Sequence, residues 1–87
     1  MKLEFQVAVT LKEGLLDPQG KAVEEALPTM GWTNVNHVRV GKLVRMRIDA
    51  PDEETARIQA DEVARRLLAN PVIEDVRILD AHQMEEA

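Results

Sequence analysis

A chain of 87 residues, 45% hydrophobic and 31% charged, has room for one soluble globular domain with a thin core. Its 16 acids against 11 bases leave a net charge of −5, which disfavours a nucleic-acid partner, because phosphate binding needs a surplus of Lys and Arg. There is no cysteine, which excludes disulfides, thiolate zinc sites and a Cys nucleophile.

At the N-terminus, "LEFQVAVTL" alternates strictly, with Leu3, Phe5, Val7, Val9 and Leu11 on one side and Glu4, Gln6, Ala8 and Thr10 on the other. This predicts a strand with one buried face. Glu4 and Gln6 interrupt any apolar run that could act as a signal peptide. No stretch approaches the roughly 20 apolar residues of a membrane span. With the missing cysteines, this fits a cytoplasmic protein with no membrane partner.

"LLDPQGKAVEEAL" comes next. Asp17 is placed to cap a helix and Pro18 to open it, where its missing N–H costs nothing. Val23, Ala26, Leu27 and Met30 follow at helical spacing. Pro28 predicts a kinked or tightened last turn, and Gly31 a stop. The Gly20-Lys21 pair invites comparison with a phosphate loop. The spacing to Gly14 is wrong, however, and Ala22 stands where a magnesium-binding hydroxyl is needed. Gly20 reads instead as a point of close backbone approach, although the helix start could attract an anion or a partner's carboxylate.

"VNHVRV" and "LVRMRIDA" read as two strands joined by a turn at Gly41-Lys42, with Val38, Val40, Val44, Met46 and Ile48 on the apolar face. A second helix opens near Pro51-Asp52 and runs to Ala69, with a stripe of Ala56, Ala60, Val63, Ala64 and Leu67. Asn70-Pro71 ends it, and Arg65 and Arg66 complement its dipole. A last strand lies in "IEDVRIL". Residues 1–80 form the single expected domain and 81–87 a frayed tail.

The order βαββαβ predicts an α+β fold of ferredoxin-like type, a four-stranded antiparallel sheet with two helices on one face. His37 and His82 stand apart and no metal-ligand cluster occurs. Serine is absent and the threonines are scattered, so a nucleophilic triad has no support. Glu24-Glu25 and Asp61-Glu62 read as solvated helix faces, and Asp52, Glu53 and Glu54 as complements to a helix dipole. Arg39, Arg45, Arg47 and Arg77 share the sheet face away from the helices with Glu4 and Asp75. That face is either solvated, with weak cross-strand ion pairs, or a docking face for a second copy or another subunit. RNA recognition would need stacking aromatics on the central strands, where Gln6, Ala8, Arg45 and Arg47 stand. Leu15, Leu16, Trp32, Ile58, Leu68, Ile73 and Leu79 are left as loop core or as a patch for a partner.

"LLDPQGKAVEEAL", "GWTNVNHVRVGKLVRMRIDA" and "LLANPVIEDV", in this order and spacing, resemble the PurS family, the small subunits of bacterial and archaeal phosphoribosylformylglycinamidine (FGAM) synthase. The resemblance runs from about Lys2 to Asp80. Trp32, Pro28 and Val76-Arg77 depart from the family's usual residues. The resemblance implies a subunit without catalytic residues, cofactor or metal, which dimerises or forms a dimer of dimers. It bridges a glutaminase, PurQ, and a synthetase, PurL, and assists ammonia transfer between them in purine synthesis. ATP and magnesium are expected on the synthetase. The motif positions Asp17, Gly20, Lys21, Arg39, Gly41, Lys42, Arg45, Arg47, Asn70 and Pro71 are expected to shape the partner surface or the turns behind it. A rival of the same topology is a metabolite-sensing module that takes a small anion at the start of its first helix.

Overall fold

Lys2–Leu11 forms the strand β1, the centre of the sheet in a computed structural model that describes residues 1–84. Lys42–Asp49 (β2) pairs with it on one side and Glu74–Gln83 (β3) on the other, both antiparallel, in the order β2-β1-β3. Leu3 faces Ile48 and Gln83 in register, and Val9 faces Lys42 and Val76. The β1/β3 register shifts between Gln6 and Val7, which face Asp80 and Ile78, so Leu79 is an extra residue that bulges from the ladder.

The alternation of β1 sets the core. Leu3, Phe5, Val7 and Val9 are fully buried. Over them lies α2 (Glu53–Val63), capped by Asp52, whose side chain accepts the Thr55 amide at 2.7 Å. It faces the sheet with Ala56 and Ala60, and Ala64 continues that row at the same spacing of four. The small side chains let helix and sheet approach closely. After Val63 the helix widens through Ala64–Leu68, and the Ala69 amide reaches back five residues to the Ala64 carbonyl at 3.0 Å. The extra residue rotates the face. Leu68 and Ala69 pack against the core, whereas Val63 and Leu67, expected in the stripe, are exposed, Leu67 at 79%.

The first helix, α1 (Pro18–Ala26), starts as expected from Asp17 and Pro18. A 3₁₀ turn over Pro28–Met30 and a left-handed Gly31 (φ 100°) end it, as Pro28 and Gly31 require. It does not join α2 on the sheet. Of its expected apolar face, Val23, Ala26 and Met30 are exposed and Leu27 is half-buried. The molecule is correspondingly long and flat, 51 × 31 × 15 Å. Its radius of gyration is 16.6 Å, where a compact chain of this length would have about 12 Å.

The four-stranded sheet is not present among the described residues, because "VNHVRV" forms no strand. Two of its amide groups, on Val38 and Val40, donate to carboxylates of the α1 region instead of to β2. His37 takes a left-handed conformation (φ 57°) that breaks an extended run. Gly41 consequently has no hairpin to turn and its φ is not positive. It is glycine because a Cβ there would lie 2.5 Å from the Val9 carbonyl oxygen of β1. The last strand runs past residue 80 to Gln83, where Met84 donates its amide to the Lys2 carbonyl. Of the expected frayed tail, Ala81–Gln83 is therefore strand, and residues 85–87 lie outside the described residues.

Candidate functional site

Asp17 is where the two Gly-Lys motifs meet. It lies in the loop after β1 and is buried, 5% exposed, although charged. Its Oδ1 accepts the Gly20 amide at 3.0 Å, capping α1, and its Oδ2 accepts the Val40 amide at 2.6 Å. Two turns further along, the Glu24 carboxylate accepts the Val38 amide, also at 2.6 Å. Positions 17, 20 and 24 share one side of a helix, so the two acids grip alternate amides of an extended segment. Gly20 lies between them because a Cβ would overlap the Val38 carbonyl oxygen.

The Gly20 amide is the main influence holding the Asp17 carboxyl below the usual carboxylate range, followed by the Val40 amide. Burial opposes them and the charge of Arg39 assists. Asp17 is thus ionised at neutral pH with both oxygens occupied. It acts as an anchor, not as a proton donor.

Arg39, between the two gripped amides, donates to the Lys12 carbonyl at 3.3 Å and joins the segment to the end of β1. An open groove of about 550 Å³ runs along this junction, lined by Leu15, Leu16, Lys21, Glu24, His37 and Arg39 among others. A second opening of about 360 Å³ lies on its other side, against Pro18, Val40, Gly41, Lys42 and Glu74. The fold therefore brings Asp17, Gly20, Lys21, Arg39, Gly41 and Lys42 together from motifs about twenty residues apart.

The other singled-out residues lie elsewhere. Asn70 and Pro71 form the turn into β3. The Asn70 side chain accepts the Val72 amide at 3.1 Å, and the Asn70 amide donates to Glu74 at 2.7 Å. Arg45 and Arg47 point from β2 to the sheet face opposite α2, as do Arg77 of β3 and Glu4 of β1. Arg39 is not on that face. Glu4 is 9% exposed and held from both sides, by Arg47 Nε at 3.3 Å and by His82 Nε2 at 3.4 Å, while His82 Nδ1 lies 3.0 Å from Asp80.

Two acids have structural partners that their local sequence does not announce. Glu24 looks like an ordinary solvated helix residue, and its spacing of seven from Asp17 and four from Gly20 is the signal that could have found it. Glu4 is expected among the arginines of the open sheet face, and its pair with Arg47 lies there; its second neighbour, His82, follows only from a last strand that runs past residue 80. Among the described residues no group of three or more His, Asp or Glu is gathered for a metal ion, and no helix is long and apolar enough to cross a membrane.

Residues 4–81 match the family model PurS, described as phosphoribosylformylglycinamidine (FGAM) synthase. A PurS subunit of this synthase from Bacillus subtilis is 44% identical over 74 residues, 85% of this chain and 87% of that protein. The solved structure of Thermus thermophilus PurS superposes with a TM-score of 0.86 at 34% identity, covering 98% of this chain and all of the other. A chain from the structure of PurLQS from Thermotoga maritima superposes at 0.79 with 28% identity, over 91% of this chain and 99% of that one. The match to nearly the whole described chain and the agreement in fold lead to one assignment: the chain belongs to the PurS family of FGAM synthase subunits.

Proposed function

We propose that the chain is the small, non-catalytic subunit of an FGAM synthase in purine biosynthesis, which holds a PurQ-type glutaminase and a PurL-type synthetase together. The observation that carries this reading is family membership over residues 4–81. The related T. maritima chain, solved as part of PurLQS, supports assembly with those subunits. The buried Asp17 and half-buried Glu24 support a structural part, since both carboxylates are spent on backbone amides. The complex converts formylglycinamide ribonucleotide, ATP, glutamine and water to the amidine, ADP, phosphate and glutamate, with ATP and magnesium on the synthetase and none on this chain. This subunit's part is positional, keeping ammonia from escaping between the two active sites, in the cytoplasm.

The same reading includes self-association. An α1 that packs on no sheet, with Leu16, Met30, Trp32 and Val23 exposed, leaves a large apolar surface for a monomer. A second copy that covers it restores the burial that an 87-residue chain lacks.

Reconstitution tests the function. Purified PurL and PurQ, with and without this chain, are assayed for glutamine-dependent and ammonia-dependent turnover. Glutamine-dependent turnover is expected to need the chain and ammonia-dependent turnover to be indifferent to it. Equal glutamine-dependent rates in both mixtures would sink the reading.

A further inference from the structure

The sheet face opposite α2 carries no helix, and its charges are unevenly matched. Each acid on it is engaged. Glu4 lies against Arg47 and His82, Asp80 against His82, Asp75 against Lys12 at 3.2 Å, and Asp49 against the N-terminal amine at 3.5 Å. Arg45 and Arg77 have no acidic partner among the described residues, although both are exposed.

Register places the two arginines around a low point. Arg45 faces Gln6 and Arg77 faces Ala8, the neighbouring outward position on β1. Their Cα atoms are two strand spacings apart across the sheet, about 10 Å, and one outward step along it, about 7 Å. Ala8, the smallest side chain on this part of the face, leaves space between them. Leu43, opposite Ala8, is 60% exposed on one flank, and the bulged Leu79 is 51% exposed on the other. Two unpaired guanidiniums over a dip, bordered by leucines, have the composition of an interface core, in which Arg and large apolar groups are enriched.

We propose that this face docks an acidic surface segment of another subunit of the ligase, with two carboxylates meeting Arg45 and Arg77 and apolar side chains meeting Leu43 and Leu79. The proposal rests on the subunit reading above. Charge complementarity selects the occupant. A second copy laid on this face could offer Arg45 and Arg77 only carboxylates that already lie against its own N-terminal amine, Lys12, Arg47 and His82. Guanidinium pairs carboxylate bidentately, which gives the docking a fixed orientation as well as attraction.

The test compares the wild-type chain with the double variant Arg45→Glu/Arg77→Glu and with Arg57→Glu, a control on α2 away from this face. Each is titrated into purified PurL and PurQ at low and high salt by calorimetry, and its own size is measured by light scattering. The proposal expects the double variant to bind roughly tenfold or more weakly with its own size unchanged. Salt should weaken wild-type binding far more than that of the variant. Arg57→Glu should bind as wild type. Unchanged affinity in the double variant overturns the proposal, as does a change in self-association with subunit binding intact, or salt-sensitive retention of RNA that the variant loses. A wild-type chain that binds neither subunit overturns the subunit reading itself, and this proposal with it.

Discussion

The Asp17 carboxylate accepts the Val40 amide at 2.6 Å across 23 residues of sequence, and this bond holds the second Gly-Lys motif against the first. Substitution Asp17→Asn tests it. An amide can still accept from Gly20, but its NH₂ then faces the Val40 N–H, donor against donor. We expect a lower melting temperature at pH 7 and faster hydrogen exchange at Val40.

The same bond has a pH signature. The folded-state pKa of Asp17 is depressed, so its contribution is complete above the unfolded value, about 3.9, and is lost as pH falls through the folded one. Asp52 is depressed in the same sense, first by the Thr55 amide and then by the Thr55 hydroxyl. The stability gap between wild type and Asp17→Asn, followed by thermal melts, should be constant from pH 7 to about 5 and close in more acid solution.

Gly20→Ala places a methyl group on the Val38 carbonyl oxygen. Overpacking of this kind costs about 1–3 kcal/mol. Hydrogen exchange should show the loss at the Val38 and Val40 amides, with the β1 amides still protected, because the clasp lies outside the sheet.

Much of this architecture is written in local pattern. The period of two in β1, the Asp17-Pro18 start of α1 and the Asp52 cap of α2 each depend on residues within a few positions of one another. Two features were not legible. Val38 and Val40 have a strand's alternation, and what diverts them is a pair of carboxylates 14 and 23 residues upstream. Leu67 fits an ideal helical stripe, and what removes it is one residue's worth of extra rotation after Val63. Propensity sees neither, since both are decided by tertiary hydrogen bonding and packing. Of the candidate site, residue types and motif boundaries were readable and the convergence of the motifs was not.

The alanine row of α2 gives a sharp contrast. Ala60 is fully buried, and Ala60→Leu should cost about 1–3 kcal/mol by lifting the helix from β1. Ile58, two residues away and 54% exposed, should tolerate Ala within about 0.5 kcal/mol. Urea unfolding of both variants, at matched protein concentration, checks the pair.

Trp32 is the single tryptophan and is 50% exposed. If a second copy covers the α1 surface, its emission should lie to the blue at high protein concentration and move to the red on dilution. A spectrum independent of concentration across the range where light scattering reports dissociation would count against that placement.

The position of β1 in the sheet also dictates when this protein can fold. The central strand is the first of the described elements, and one of its two partners is Glu74–Gln83, roughly seventy residues downstream. Half of its ladder therefore cannot form on a nascent chain until nearly all of the described sequence has left the ribosome. Contacts of such sequence separation fold slowly. Until then the Leu3, Phe5, Val7 and Val9 face has lost a neighbour on one side, which makes synthesis, more than the finished fold, the stage at which this subunit is most exposed to aggregation.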